Sequence, residues 1–244
     1  MIALISDIHG NLEALEAVLA RVPEMEIVCL GDVVCYGADS IECIRRSLAW
    51  KSVVAGEFDL AMLNHDPSQW NPKLNNYINN VKHQLSVSPD SKSLNKILRS
   101  YGAEFAIDGR RFFHGEPGNV RGFIFPEDVY CREKLDRCVE TSEHTFIGGG
   151  SHIPGLFRLT EQSWSFVVPE NGQPYELSTD EKTIITIGSV GQPRDEDPRA
   201  AYAVIDETSI VFHRVDYDLE TASKKIRNDP NTDDMHGDRL SIGR

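Results

Sequence analysis

Aspartate and histidine residues follow apolar stretches at four places in the chain, in the segments SDIHGN, LGDVV, FFHGEP and GGGSHIP. The side chains concerned are those of Asp7, His9, Asp32, His114 and His152. Mixed carboxylate and imidazole ligands suit divalent metals such as manganese, iron or zinc. Any one of these histidines alone is more often a hydrogen-bonded structural residue than a ligand. As an ordered set, each at the end of its own apolar run, the residues predict a metal site.

Strands and helices alternate in the part of the chain that carries the first of these residues. MIALISD and EIVCLGD are near-continuous apolar runs, typical of strands covered on both faces, and SVVAG is a shorter one. NLEALEAVLARV and SIECIRRSLAW, which lie between them, have helical spacing of their apolar residues. This order predicts an α/β sheet with functional groups at the strand ends.

The rest of the chain falls into three parts. Residues 60–101 are polar and rich in Asn and Ser, which predicts a helical insert, with helices near 73–85 and 91–101. From residue 105 onward, alternating apolar and polar residues with short turns predict antiparallel hairpins. Residues 218–229 predict one last helix, whereas the segment after them is expected to be loosely ordered. We expect a single domain, 1–244, with two sheets.

Composition and charge exclude several classes of protein. The formal net charge of −13 argues against a broad nucleic-acid-binding or anionic-lipid-binding face. A small phosphate ester is still compatible, because bound cations dominate the field inside a pocket. No apolar run approaches the about 20 residues of a membrane span, and the first residues lack the basic start of a signal peptide. The five cysteines have no CxxC spacing, so we expect reduced thiols and a cytoplasmic protein.

The segments DIHGN, GDVV.YG, FFHGEP and GGGSHIPG, taken in order, resemble the calcineurin-like metallophosphoesterases, and among them the small bacterial phosphodiesterase branch. TIGSVGQPRDEDPRAAYAVID and VFHRVDYDLETASKKI extend the resemblance over nearly the whole chain. It implies two mixed β-sheets packed face to face and flanked by helices, as a four-layer αββα sandwich. It also implies a small phosphorylated substrate, one or two divalent metals (Mn, Fe, Zn or Mg) and attack by a metal-bound hydroxide.

The resemblance also implies a ligand set. One metal would be held by Asp7, His9, Asp32 and His152, and the second by Asp32 as the shared carboxylate and by His114. The reacting group would be the hydroxide, so no catalytic side chain is assigned. The set is complete for the first metal, and the second requires two further ligands from the patterns Gly-Asn-His-Asp and Gly-His-Thr-His.

Three residues depart from those two patterns. Glu57 stands where an Asn ligand is expected, Phe58 where a proton-donating His is expected, and Gly150 where a His ligand is expected. Glu57 either supplies a carboxylate to the second metal or stays out of it, so that only the first site fills. In the second case it could be an exposed turn residue that hydrogen-bonds locally. Phe58 cannot donate a proton, which removes help typically worth about 10²–10⁴-fold in rate, and in the simplest interpretation it packs over the site. His65 is a weak candidate to replace the missing histidine.

Two residues are candidates for binding substrate. Asn11 either orients a ligand or phosphate or only caps the helix that it opens. Arg194 in GQPRD either holds a phosphate oxygen, for which its planar fork is suited, or pairs with Asp195 or Asp197. Four other histidines have no partner spacing and are expected to be structural or solvated: His83, His144, His213 and His236.

The sequence thus leaves two functions open. The first is metal-dependent hydrolysis of a small phosphate ester or nucleotide, supported by the five intact metal-site residues. The alternative is a catalytically degenerate member of the family that acts as a metal-binding, ligand-binding or interaction module, supported by the three departures.

Overall fold

Twelve strands and eight α-helices are present in the computed structural model, which describes residues 1–161 and 163–244. The strands are β1 (Ile2–Ile5), β2 (Glu26–Cys29), β3 (Ser52–Val53), β4 (Phe105–Ile107), β5 (Arg110–His114), β6 (Thr145–Gly149), β7 (Pro154–Thr160), β8 (Ser163–Val167), β9 (Pro174–Glu176), β10 (Thr183–Ile187), β11 (Ala200–Ile205) and β12 (Ser209–Val215). The helices are α1 (Leu12–Leu19), α2 (Ser40–Ser47), α3 (Glu57–Leu63), α4 (Pro72–Val87), α5 (Ser91–Leu98), α6 (Arg132–Glu140), α7 (Leu219–Asn228) and α8 (Asp234–Leu240). Short 3-10 helices cover Pro67–Gln69 and Pro126–Tyr130.

The strands form two mixed sheets of six. The first has the order β3-β2-β1-β11-β12-β9, with β1, β2 and β3 parallel and β11 antiparallel to β1. The second has the order β4-β5-β6-β10-β7-β8, with β5, β6 and β10 parallel and β7 antiparallel to β10. The expectation of two mixed sheets is confirmed, and the alternating segments form the hairpins β7–β8 and β11–β12.

Apolar side chains of the two sheets pack face to face. Leu4 and Val28 from the first sheet share one buried cluster with Phe112 and Ile185 from the second. Ile5 points the other way, as the period-two geometry of a strand requires, and joins a cluster with α1, α2, α4 and α5. A third cluster covers the outer face of the second sheet together with α6. The layers are therefore helix, sheet, sheet, helix, as the resemblance implies.

The C-terminal segment differs from expectation. Residues 230–244 were predicted to be loosely ordered, which is wrong, because α8 occupies Asp234–Leu240. Asp233 caps this helix by accepting a hydrogen bond from the backbone N–H of Met235 at 3.0 Å. Leu240 is buried against Ala222 and Ile226 of α7. A helix this short is held by such tertiary contacts rather than by its own propensity, so its sequence pattern is weak.

None of the described helices combines the length and the apolar composition that crossing a bilayer requires.

Candidate metal centre

Loops that follow parallel strands of both sheets meet at one place. Asp7 follows β1, Asp32 follows β2, His114 ends β5 and His152 follows β6. Carboxyl ends of neighbouring parallel strands share a sheet edge, and the face-to-face packing brings the two edges together. All four residues are buried, with at most 3% of each exposed, and His9 is equally buried beside them.

The first group of ligand atoms comes from Asp7, His9 and His152, whose atoms all lie within 4.8 Å of one another. Nε2 of His152 is 3.4 Å from Oδ1 of Asp7 and 3.2 Å from Nε2 of His9. Two ring nitrogens this close, with a carboxylate beside them, are arranged as donors around a common cation.

The second group comes from Asp7, Asp32 and His114, also within 4.8 Å of one another. Oδ2 of Asp32 is 3.6 Å from Nε2 of His114 and 3.8 Å from Nε2 of His9. Asp32 therefore faces both groups with the same oxygen atom. Glu57 reaches the second group through its Oε2, which is 3.0 Å from Nε2 of His114.

Backbone carbonyls fix the orientation of all three imidazoles. Nδ1 of His9 donates to the carbonyl of Val34 at 3.2 Å, and Nδ1 of His152 donates to that of Gln192 at 2.6 Å. Nδ1 of His114 donates to the carbonyl of Leu30 at 2.5 Å. Because a carbonyl oxygen only accepts, each Nδ1 carries the proton and each Nε2 is turned towards the carboxylates. Outer hydrogen bonds of this kind are typical of metal-binding histidines.

Asp7 and Asp32 each have one carboxylate oxygen that accepts hydrogen bonds and one that faces the other ligand atoms. Oδ2 of Asp7 accepts hydrogen bonds from Oγ of Ser6 at 2.6 Å and from the backbone N–H of Gly150 at 3.0 Å, whereas its Oδ1 is buried with no hydrogen-bond partner among the described residues. Oδ1 of Asp32 accepts from the backbone N–H of Phe58 at 3.0 Å, which leaves Oδ2 for the cluster. An unpaired buried carboxylate oxygen is costly unless a cation compensates it, so the donor set fits a divalent metal.

Left-handed backbone is concentrated in this site. Asp7, His9, Asp32 and His152 have φ angles of 52°, 49°, 52° and 61°. This region is sparsely populated by residues other than glycine, and such conformations persist where the surroundings enforce them. Local strain of this kind aims the side chains inward, and the sequence alone does not reveal it.

Burial and mutual charge determine the electrostatics of the cluster. Burial raises the pKa of Asp7 and, with the charge of Glu57, raises the pKa of Asp32 well above its usual value. Burial lowers the pKa values of His9 and His152, with Arg194 acting in the same direction, so both rings are neutral donors. Burial thus disfavours the charged form of both carboxylates, a penalty that a bound cation would relieve.

Burial also opposes the charged form of His114, yet its pKa is raised well above the ordinary value. The charge of Asp32 and the hydrogen bond to Glu57 outweigh the effect of burial. His114 is the one ring of the cluster that the surrounding carboxylates favour in its cationic form.

Glu57 and Phe58 open α3 rather than lying in an exposed turn. The side chain of Glu57 is 12% exposed and faces His114, so the interpretation of an exposed turn residue is wrong. Phe58 is 3% exposed and packs against the rings of Tyr36 and Trp70, each at 5.0 Å between centroids, and at 5.7 Å from that of His9. Phe58 thus packs beside the first group, as the simplest interpretation expected.

Gly150 lies where no side chain fits. A Cβ built on Gly150 would stand 2.4 Å from the ring of Phe123 and 3.1 Å from Nε2 of His114, and its φ angle is +84°. The ring of Phe123 makes an edge contact with the imidazole of His114, at 5.9 Å between centroids. The aromatic ring therefore fills the volume beside His114 into which a side chain at residue 150 would extend.

Asp59 is a buried residue of the site that the sequence did not single out. Its Oδ1 accepts from the backbone N–H of Val33 and its Oδ2 from that of Gly56, both at 3.0 Å. Burial raises its pKa to about 6, and these hydrogen bonds act in the opposite direction. In the sequence, the signal for Asp59 was its position three residues after Gly56, because a carboxylate there completes a capping box at the start of a helix. Asp59 thereby ties the loop after β2 to α3.

The loop after β10 also supports the cluster. Oγ of Ser189 donates to the carbonyl of Asp7 at 2.7 Å and accepts from the backbone N–H of Gln192 at 2.8 Å. The carbonyl of Gln192 in turn holds His152. Ser189 and Gln192 carry side chains of no evident chemistry in the sequence, and only their tertiary contacts give them a role.

Arg194 lies beside the first group. Its backbone N–H donates to the carbonyl of His152 at 3.4 Å, and its guanidinium donates to Oε1 of Gln192. Its Nε is buried with no hydrogen-bond partner in residues 1–161 and 163–244. A positive charge in this position faces the metal-binding residues.

The acidic neighbours of Arg194 pair elsewhere. Asp195 contacts Arg214, and Asp197 contacts Arg199 at 2.6 Å. The expected alternative, an ion pair between Arg194 and one of these two aspartates, is therefore wrong. Within the described ranges the guanidinium of Arg194 makes no ion pair.

Asn11 and His65 have structural partners. Oδ1 of Asn11 accepts from the backbone N–H of Ala14 at 3.1 Å as the N-cap of α1, and its Nδ2 donates to the carbonyl of Gly191 at 2.9 Å. Nε2 of His65 lies 2.7 Å from Oδ1 of Asn75, which links the end of α3 to α4. The side chains of Asn11 and His65 are thus both hydrogen-bonded within the fold.

Two adjacent cavities flank Glu57 and His114. One of about 250 Å³ is lined by Glu57, Trp70 and Arg121, with the guanidinium of Arg121 at 4.0 Å from the ring centroid of Trp70. The other, of about 500 Å³, is lined by His114 and by apolar residues that include Tyr101. The two cavities therefore reach the ligand atoms on the side of the second group, which is formed by Asp7, Asp32 and His114.

Two mixed sheets with an Asp and His cluster at their joined strand ends define a metallophosphoesterase fold. The chain belongs to the calcineurin-like phosphoesterase superfamily, whose domain profile matches residues 1–209, and the resemblance seen in the sequence is confirmed. It is 34% identical over 255 residues to the uncharacterized protein MJ0912 of Methanocaldococcus jannaschii, with 100% of this chain and 98% of that protein covered.

Solved structures agree with this assignment. A metallophosphoesterase from Sphaerobacter thermophilus is similar with 26% identity and a TM-score of 0.83, covering 100% of this chain and 99% of its own. The hypothetical protein PH1004 from Pyrococcus horikoshii OT3, at 19% identity, has the same fold with a TM-score of 0.74, covering 100% of this chain and 99% of its own. The family supports metal-dependent phosphoester hydrolysis as the general activity.

Proposed function

We propose that this protein hydrolyses a small phosphate ester or nucleotide and requires a divalent metal. The observation that carries the proposal is the position of Asp32, whose single free oxygen faces both groups of ligand atoms. Asp7, His9, Asp32 and His152 would hold one metal, and Asp32, His114 and Glu57 the second. When bound, such metals supply Lewis-acid stabilisation of phosphoryl oxygens and lower the pKa of water.

Glu57 would replace the ligands that the family pattern places at residues 57 and 150. The ring of Phe123 closes the space at Gly150, and Glu57 lies 3.0 Å from His114 in the same corner. A carboxylate is a harder donor than imidazole and adds a negative charge, which favours manganese or magnesium over softer metals at this position.

Arg194 would neutralise one oxygen of the phosphate group. Its Nε has no hydrogen-bond partner in the described part of the chain, and its neighbouring carboxylates are paired with other arginines. A guanidinium provides a planar pair of N–H donors that matches phosphate oxygens. Asn11, whose amide is engaged at both ends, would act only by holding α1 and the loop that contains Gly191 in place.

Phe58 provides no proton to a departing alcohol. We therefore expect esters with acidic leaving groups, such as aryl phosphates, to react faster than alkyl phosphates by more than solution reactivity alone predicts. The leaving group would occupy the cavities beside Glu57 and His114, where Trp70 and Tyr101 provide aromatic surface.

Five unpaired cysteines, four of them buried, also support a reducing and hence cytoplasmic environment as part of this proposal.

The test is hydrolysis of a panel of aryl and alkyl phosphomonoesters, phosphodiesters and nucleotides by protein loaded with Mn²⁺, Mg²⁺ or Zn²⁺. Asp32→Asn and His152→Ala should each reduce kcat/KM by at least about 100-fold, whereas His83→Ala on the outer helix α4 should leave it unchanged. Activity that persists in both site variants would come from a contaminant. If the metal-loaded protein hydrolysed no ester, the alternative function, a metal-binding, ligand-binding or interaction module, would be favoured.

A further inference from the structure

The ring of Trp70 holds a guanidinium group beside the candidate site. Cζ of Arg121 lies 4.0 Å from the centroid of the Trp70 ring, which is the geometry of a cation–π contact. The ring of Trp70 in turn packs on that of Phe58, at 5.0 Å between centroids, and Phe58 follows Glu57 at the start of α3. Trp70 therefore fixes the guanidinium of Arg121 relative to the helix that presents Glu57.

A compact turn after β5 presents Arg121. The backbone N–H groups of Glu116 and Asn119 donate to each other's carbonyls, at 3.1 and 3.0 Å. Oδ1 of Asn119 accepts from the backbone N–H of Arg121 at 3.2 Å, and Nη1 of Arg121 donates to the carbonyl of Gln69 at 3.3 Å. Among the described residues this is the one hydrogen bond of the guanidinium group, so its other N–H groups are available to a ligand.

The charge of Arg121 has no carboxylate partner within residues 1–161 and 163–244. Glu116, the acid of the same turn, is directed elsewhere: Nζ of Lys134 lies 3.7 Å and Nη2 of Arg137 lies 3.5 Å from its carboxylate oxygens. Asp66, four residues before Trp70, accepts hydrogen bonds within its own turn. The nearby acids are thus engaged, and the guanidinium keeps its charge.

Arg121 and Glu57 line the same cavity, of about 250 Å³. Oε2 of Glu57 lies 3.0 Å from Nε2 of His114, on the side of the metal-binding residues. Every other residue of the cavity wall is uncharged. If Glu57 binds a metal, as proposed above, the cavity keeps the positive charge of Arg121. Ligand pockets begin at about 300 Å³, so the cavity suits one substituent of a substrate rather than a whole substrate.

We propose that Arg121 binds an oxyanion, a carboxylate or a phosphate, on the part of the substrate beyond the phosphate that reacts. This inference rests on the proposed function and narrows it to esters whose leaving group carries a negative charge of its own. The reacting phosphate would lie against the metal-binding residues, of which only Glu57 lines this cavity, so a group next to Arg121 belongs to the rest of the substrate. A guanidinium held on an aromatic ring presents a planar set of N–H donors that matches two oxygens of such a group.

Hydrolysis of two matched esters by the metal-loaded, full-length protein tests this role of Arg121. The esters are 4-carboxyphenyl phosphate and its neutral analogue, 4-carbamoylphenyl phosphate. The KM of the wild type for the carboxylate should be at least about fivefold below that for the amide. Arg121→Met should abolish this difference, because methionine covers the Trp70 ring without supplying a charge. An unchanged ratio of the two KM values in Arg121→Met would overturn the proposal.

The matched control is Arg99→Met, directly after α5. Arg99 is also exposed and also makes no ion pair in the described part of the chain, but it lines neither of the cavities beside Glu57 and His114. Its replacement removes the same charge from the protein and should leave the ratio of KM values unchanged. An equal change in both variants would show an effect of overall charge and would reject a contact with Arg121. Because Arg121 is exposed, its replacement should not lower the melting temperature.

Binding of unreactive analogues separates this inference from the hydrolase proposal. In the corresponding benzylphosphonates a methylene group replaces the ester oxygen, so no hydrolysis occurs. Calorimetry with the metal-loaded protein should show the 4-carboxy compound binding at least about fivefold more tightly than the 4-carbamoyl compound, and Arg121→Met should abolish the difference. This preference without turnover of either ester would retain the role of Arg121 and reject the hydrolase. Turnover of both esters with no preference in binding would do the reverse.

A third ester distinguishes the two sources of the oxyanion. 1,4-Phenylene bisphosphate carries a phosphate where 4-carboxyphenyl phosphate carries its carboxylate. If Arg121→Met raises the KM for the bisphosphate more than that for the carboxylate, the natural substrate carries a second phosphate. A larger rise for the carboxylate assigns a carboxylate instead, and no rise for either compound would overturn the proposal.

Discussion

Glu57, Gly150 and Phe123 occupy one corner of the site and depend on one another. The ring of Phe123 takes the space into which a side chain at residue 150 would extend, and Glu57 contacts the face of His114 nearby. In the proposed second metal site, the three residues together would exchange an imidazole donor for a carboxylate. A side chain restored at residue 150 alone would therefore meet a steric conflict before it could supply a ligand.

Gly150→Ala tests that conflict. We expect it to lower the free energy of unfolding by about 1–3 kcal/mol, because the methyl group would meet the ring of Phe123 at 2.4 Å and because φ is +84°. Urea denaturation measures the loss. Phe123→Leu should recover part of it in a double-mutant cycle, and strictly additive effects of the two substitutions would show that the residues are not coupled.

Glu57→Gln tests the replacement ligand. The substitution preserves size but removes the charge beside His114, so the second of two Mn²⁺ ions should bind about 10- to 100-fold more weakly, with the first little affected. Titration followed by calorimetry or metal analysis gives the two affinities. Glu104→Gln, in the wall of the adjacent cavity, is the matched control. If Glu57→Gln bound both ions as tightly as the wild type does, the second metal would be held by other residues.

At the scale of elements, the strand-end pattern was sufficient to predict which aspartate and histidine residues come together. Asp7, Asp32, His114 and His152 each end or follow a strand, and parallel strands bring such ends to a common edge. Asp59 and Phe123 could not be predicted in the same way, because their roles arise from contacts between elements distant in sequence. The helix α8 was missed for the same reason, since its burial against α7 defines it rather than its periodicity.

Asp59 shows how one such contact between elements supports the site. Asp59→Ala would leave the backbone N–H groups of Val33 and Gly56 without partners, so we expect a loss of about 2–4 kcal/mol in the free energy of unfolding. Asp59→Asn retains one acceptor and should lose less. Thermal and urea unfolding compare the two. Equal stability of Asp59→Ala and the wild type would mean that the loop after β2 is held by other contacts.

The molecule as a whole buries several carboxylates at the junction of its two sheets, and this couples metal binding to folding. Asp7, Asp32 and Asp59 are at most 1% exposed, and their pKa values are raised chiefly by burial. Groups with raised folded-state pKa values stabilise the fold at low pH and lose that contribution as pH rises through the folded pKa. A divalent cation, by binding only the folded state, offsets the loss, by about 2.7 kcal/mol at 100 times its Kd.

Asp32→Asn tests this coupling, because we expect its effect on the free energy of unfolding to change sign when metal is added. Without metal at pH 7, the variant lacks a carboxyl group whose ionisation burial opposes, and it should be more stable than the wild type. The advantage should shrink as pH falls through the raised pKa of Asp32 in the folded wild type. With Mn²⁺ in excess the order should reverse, because the variant loses the carboxylate that faces both groups of ligand atoms.

Urea denaturation at pH 4 and 7, with chelator or metal, gives the four comparisons, with Asp136→Asn on α6 as the control. A variant less stable than the wild type under all four conditions would show that Asp32 serves the fold through its hydrogen bond to Phe58 rather than through its charge.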